Sequence, residues 1–326
     1  MKRFIWMAFL CYLVIFSEVL AEKLHQRFTY DSGSTQKRSV DLAQTTPVCL
    51  DRSDIPDEEF HWLYIPTNST ELATSEDYAY LSGQLIQTGV VNAADCPLGG
   101  LWPSGYANPC GLERTREVSL YLQNVYDDEI LTAGAGIGVP PVMIKQLIRY
   151  ESQFWPLPMG LSHFGLGHLT FIGAGNALIW SRDLFEATFA QAPEPKINLP
   201  NQLLTMMDAS CPTCPLRIDI PKAEQSITYI AQALLGYCRQ TSQVVFNATK
   251  TNAGNVVDYA TIWKLTLLNY NAGPLCVYNA VNATYTEDDP LSWDTIAANI
   301  DTGYCRLGVR YAENITAPYY EFQRTP

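Results

Sequence analysis

Histidine is scarce in this chain, with four in 326 residues, and so is positive charge, with 21 Lys and Arg against 33 Asp and Glu. Four histidines leave little material for a zinc site, which draws its ligands from clustered His and Cys. The formal net charge of −12 repels nucleic-acid phosphates and anionic membranes at long range, so neither is an expected partner. A neutral polymer lying in a cleft is not excluded. No repeat is visible, which argues against a solenoid. Long apolar runs are missing after the first residues, where Phe4 to Phe16 follow Lys2 and Arg3 and lead to the small-residue end Val19-Leu20-Ala21. That run is short for a bilayer span and is interrupted at Glu18, so residues 1–21 read as a secretory signal rather than an uncleaved anchor. The mature chain is expected to start at Glu22 with a net charge of −13, once Lys2, Arg3 and Glu18 have left.

Cysteine usage fits an exported protein, periplasmic or extracellular. Cys11 leaves with the signal, and Cys49, Cys96, Cys110, Cys211, Cys214, Cys238, Cys276 and Cys305 remain. An even number in that compartment points to disulfides, with the pairing unreadable because eight cysteines allow 105 arrangements. The CPTC at 211–214 lies in a Pro-rich loop rather than at a helix start, and has no second ligand pair, so a structural disulfide is expected there too. No metal and no cofactor is expected.

The fold class reads as mainly α. Residues 22–46 are polar and aperiodic and form a linker; 47–110 form an irregular, disulfide-pinned N-terminal cap; 111–326 form the main helical domain. Apolar spacing predicts helices from Gly111 to about Leu131, ended by GAGIG at 134–138, then from Pro140-Pro141 to near Pro156, and over about 222–240 and 256–271.

The helix after Pro141 poses a chemical question. Ile144, Leu147 and Ile148 mark its buried face, and the next inward position is Glu151, just before Phe154 and Trp155. A carboxylate aimed along an apolar stripe needs a partner or a proton. A structural glutamate bonded to backbone would also satisfy the position. Asp183, Glu186, Asp208 and Asp219 lie in expected loops or polar faces, so no second carboxylate stands out for a two-acid glycosidase.

Three segments, in this order, resemble one family: Tyr150-Glu151-Ser152 at a helix end, Ser162-His163-Phe164-Gly165-Leu166-Gly167-His168-Leu169, and Leu268-Asn269-Tyr270-Asn271-Ala272-Gly273-Pro274. Together they are similar to the soluble lytic transglycosylases, lysozyme-like enzymes of the goose-type lysozyme superfamily that cleave bacterial cell-wall glycan. The resemblance spans about 139–280. It implies a lysozyme-like helical domain and peptidoglycan glycan strands as substrate. In that family one glutamate protonates the glycosidic oxygen, then takes the proton of the muramic 6-hydroxyl as an anhydro ring closes. The resemblance assigns that role to Glu151, whose apolar setting suits an acid that must hold a proton. It also implies substrate-binding roles for Ser162, Gly165, His168, Tyr270 and Asn271. The Tyr270 hydroxyl would orient Glu151, Asn271 would shape a sugar subsite, and Ser162 would be the N-acetyl-binding serine.

The chain also departs from the family. Gly165-Leu166-Gly167-His168 stands where GLMQ is usual, which places His168 at a substrate-contacting glutamine, and the loop is about one residue shorter. Leu169 to Gly175 replaces the usual Pro-Thr. Two other readings therefore accompany the transglycosylase: a hydrolase of the same fold, and an inactive glycan-binding protein.

Overall fold

The computed structural model describes Cys49 and residues 60–158, 162–300 and 303–317; the signal at 1–21 and the linker at 22–46 lie outside these. The described residues form twelve α-helices and several 3-10 turns, with isolated bridges and no strand. No described helix is long and apolar enough to cross a membrane.

The long helix α8 (Ile220–Thr249) is the spine. Asp219 caps its start by accepting from the Lys222 amide at 3.1 Å, and Lys250 in the left-handed region ends it. Its 30 residues span roughly 45 Å, well past the end expected near 240. The extension follows from an uninterrupted buried stripe, with Cys238, Thr241, Val245 and Thr249 continuing the line of Ile227, Ile230 and Leu234.

Around it pack α3 (Asp127–Ile137), α5 (Phe171–Trp180), α9 (Tyr259–Ala272) and α10 (Pro274–Thr286). The helix predicted from Gly111 to Leu131 is instead two, α2 (Pro109–Asn124) and α3. The break has a packing cause. The Asn124 side chain bonds both the amide and the carbonyl of Thr74 at 2.8 Å, while Tyr126 is fully buried. Asp127 then turns in to meet Lys145, both side chains under a tenth exposed. Gly134 and Gly136 lie inside α3, and only Gly138, at φ +86°, ends it.

Helix α4 (Pro141–Ser152) carries Glu151. Pro140 and Pro141 start it, and Gln153 in the left-handed region stops it. The Gln153 side-chain oxygen accepts from the amides of Tyr80 and Leu81 at 2.9 and 3.4 Å, in the first turn of α1 (Ala79–Gln87). The end of α4 is thus tied to a helix more than seventy residues earlier.

Further helices close the remaining side: α6 (Arg182–Gln191), α7 (Leu199–Met207), the short α11 (Trp293–Ala298) and α12 (Gly303–Thr316). Helix α12 packs on α9 and α4. Gly308 allows this, since a Cβ there would sit 2.6 Å from Leu268 and 2.7 Å from Ala272. All eight remaining cysteines pair, as Cys49–Cys238, Cys96–Cys110, Cys211–Cys214 and Cys276–Cys305. The last ties α10 to the first turn of α12.

Candidate active site

A cavity of about 550 Å³ opens where the end of α4, the loop 162–170, α5, the end of α9 and the start of α12 meet. Glu151 is on its wall, at the last turn of α4, with its side chain 17% exposed. Among the described lining residues it is the sole carboxylate, and no Lys or Arg accompanies it. Asp183, Glu186, Asp208 and Asp219 are elsewhere. Glu186 pairs with Arg182, Asp208 accepts from Ser210, and Asp219 caps α8.

A helix and a loop flank Glu151. The Tyr311 hydroxyl on α12 donates to Glu151 Oε1 at 2.5 Å. On the other side His168 Nδ1 lies 3.6 Å from Oε2, too long for a hydrogen bond but close enough for an ion pair when the ring is charged. Burial first, and then the Glu151 charge, push the hydroxyls of Tyr311 and Tyr270 well above the usual tyrosine range. Both phenols therefore stay protonated, and Tyr311 stays a donor.

Tyr270 does not take the orienting role expected of it. Its hydroxyl donates to the Gly167 carbonyl at 2.7 Å, pinning the loop, while its ring stacks on Tyr311 with centroids 6.5 Å apart. The reason is direction. Tyr270 leaves α9 toward the loop, whereas α12, brought in by Gly308, presents Tyr311 to the carboxylate. The signal for Tyr311 was the apolar stripe Gly308, Tyr311, Ala312 and Ile315, but 160 residues separate it from Glu151.

The other expected residues divide. His168 lines the cavity, is 7% exposed, and adopts φ +49°, in a turn closed by the bridge Phe164↔Leu169. A non-glycine residue in the left-handed region implies that the surrounding turn over-determines it. Its ring meets His163 edge-on at 5.8 Å. Asn271 is exposed on the rim. Ser162 is exposed and bonds His163 Nδ1 at 2.8 Å rather than lining the cavity. Gly165, at φ +65°, is a turn residue packed on Met207.

The floor of the cavity went unforeseen. Asn176 and Gln240 bond each other reciprocally at 2.7 and 2.9 Å, and the Asn269 amide nitrogen donates to Gln240 at 2.9 Å and Thr241 at 3.1 Å. Tyr237 joins them, its hydroxyl pushed up to about 12 by burial. Sequence offered only a weak cue, an amide residue on the buried face of a helix. Such a floor sets hydrogen-bonding amides and phenols beneath apolar walls. No group of three or more His, Cys, Asp or Glu among the described residues is arranged to hold a metal ion. No family model matches this chain, and neither does any curated protein or solved structure.

Proposed function

We propose that this protein is a lysozyme-like enzyme that cleaves the peptidoglycan glycan strand as a lytic transglycosylase, with Glu151 as its single acid and base. The observation that carries the reading is the setting of Glu151: a lone carboxylate on a cavity wall, at a helix end, held by a buried phenol. Glu151 protonates the oxygen between the muramic and glucosamine sugars, and that bond breaks. The resulting carboxylate then takes the proton of the muramic 6-hydroxyl, whose oxygen closes the 1,6-anhydro ring. Tyr311 keeps the carboxyl aimed throughout, Tyr270 holds the Gly167 turn against the cleft, and His168 and Asn271 face the sugars. Support for one acid rather than two lies in the absence of a second carboxylate from the described lining. An exported protein, periplasmic or extracellular at the cell envelope, suits both this substrate and the paired cysteines.

The test is the mass of the products from purified peptidoglycan. Anhydro-muramic ends are expected, and Glu151→Gln should lower their rate of formation by at least about 10²-fold, the usual scale of general acid–base catalysis. Ends heavier by one water would show the hydrolase instead. Unaltered glycan bound by folded protein, with Glu151→Gln binding equally well, would establish a binding protein and end the enzymatic reading.

A further inference from the structure

A second cavity, also of about 550 Å³, lies on the opposite side of α12, between that helix and the end of α11. Ala297, Ala298, Gly303 and Val309 give it small apolar walls, and its polar groups are the guanidiniums of Arg306 and Arg310. Four residues apart, these share one helix face. Arg306 spends one donor, Nε, on the Ile300 carbonyl at 3.0 Å, and that bond aims the rest of its fork. None of the ion pairs formed among the described residues uses either arginine. Both are exposed, in a chain whose acids outnumber its bases by 33 to 21. Two arginines without a carboxylate partner among the described residues stand out in so acidic a protein, because a guanidinium fork matches a carboxylate in two parallel bonds. The ledge is also rigid. Cys305, beside Arg306, is bonded to Cys276 of α10.

We propose that Arg306 and Arg310 bind a carboxylate of the peptide stem carried by the glycan, so that the protein engages stem-bearing strands in preference to bare ones. The identity of the carboxylate rests on the glycan-cleaving reading; the anion site itself does not. One helix separates the two cavities. Tyr304 of α12 lines the first, while Arg306 lies roughly 200° further round the helix. A helix with its side chains is about 10–12 Å across. Over the surface that is about 14–17 Å the short way round, and an extended peptide covers about 3.3–3.6 Å per residue, so roughly four to five stem residues reach from a sugar in the first cavity to the arginines. The path crosses Tyr304, which is 63% exposed at the start of the helix. The muramic sugar bears its stem on the lactyl group, and the stem's free carboxylates supply the charge.

The experiment uses the full chain and a soluble stem tripeptide with free carboxylates, followed by backbone amide NMR. Shifts are expected at 303–310, and Arg306→Gln/Arg310→Gln should weaken binding by about tenfold or more, the scale of a lost charge-assisted hydrogen bond. Equal binding of the same peptide with amidated carboxylates, or displacement of the free peptide by inorganic phosphate at similar concentration, would overturn the assignment. Thermal melts of the double variant, whose changed residues are exposed, control for folding. Kinetics then compare stem-bearing with amidase-stripped glycan. The preference of wild type for the former, read as kcat/KM, should collapse toward one in the variant, and a preference unchanged by the variant overturns the proposal. Peptide binding without cleavage of either glycan would sink the enzymatic reading and leave the arginine site standing. Cleavage with no peptide binding would do the reverse.

Discussion

Replacing Lys145 with methionine keeps most of the side chain's volume and removes its charge from the interior. The Lys145 ammonium pairs with Asp127 and also donates to the Gln123 carbonyl, closing the end of α2, and it lies 4.9 Å from the centre of the Phe154 ring. The two charged side chains are 5% and 7% exposed. Breaking such a pair from one side leaves an uncompensated buried charge and costs about 3–5 kcal/mol. For a chain of this size that corresponds to a fall in Tm of roughly 5–8 °C. The deficit must also depend on pH. Burial raises the Asp127 carboxyl above its usual range, with Lys145 working against the rise. Without Lys145 the rise is larger. A carboxyl whose folded pKa exceeds its unfolded one contributes stability that is greatest in acid and is lost as pH rises through the folded value. The variant should therefore lie closer to wild type at pH 4 than at pH 8. Adding Asp127→Asn should recover part of the loss at pH 8. Urea melts across that range supply the test. A cost under about 1 kcal/mol, or a deficit that does not shrink in acid, would refute the reasoning from a buried charge pair.

Tyr311→Phe should lower kcat on peptidoglycan by about 10- to 100-fold, with a stability loss near the ~1 kcal/mol of one hydrogen bond, separable by kinetics and melts. Gly308→Val should displace α12 from Leu268 and Ala272, lowering Tm and activity together, because the Ala272 Cβ, 2.7 Å from the new Cβ, is fixed to its backbone and cannot yield even where the tip of Leu268 can. Glu224, raised by burial and by the nearby Glu129 and Asp128, is less favourable ionised in the folded state than in the unfolded one. Glu224→Gln should therefore stabilise the fold at pH 7–8 and lose that advantage toward pH 4, as differential melts would record. Removing the Cys276–Cys305 bridge as a Ser pair should cost about 3–4 kcal/mol, given the 29-residue separation that it closes, as measured by denaturant melts under oxidising conditions.

The parts of the molecule that sequence revealed were those with a local cause. Helix α4 was legible because Pro140-Pro141, a stripe of apolar residues and a terminal proline all act within about fifteen positions. Glu151 stood out for the same reason. Helix α5 was not legible: FIGAGNALIW is apolar but for Asn176, and without a period it reads equally well as a strand or a loop. The break at 125–126 depends on Asn124 meeting Thr74 and Asp127 meeting Lys145, contacts between segments that sequence spacing does not join. Tyr311 illustrates the same limit at the site. Its hydroxyl matters because Gly308 lets one helix settle on another, and neither residue carries a motif. Disulfide pairing belongs to this class as well, being decided by which helices become neighbours.

Gln153 performs two terminations at once, and this constrains how the molecule breathes. Its left-handed backbone ends α4, and its side-chain oxygen occupies the place of a cap for α1, whose own preceding residue, Tyr78, offers no side-chain cap. Ordinarily each helix end frays on its own, exchanging its first and last amides far faster than the core. Here the two ends open together or not at all. The amides of Tyr80 and Leu81 and those of the last turn of α4 should thus exchange with deuterium as one kinetic unit, and the turn that bears Glu151 inherits the slowness of the slower partner.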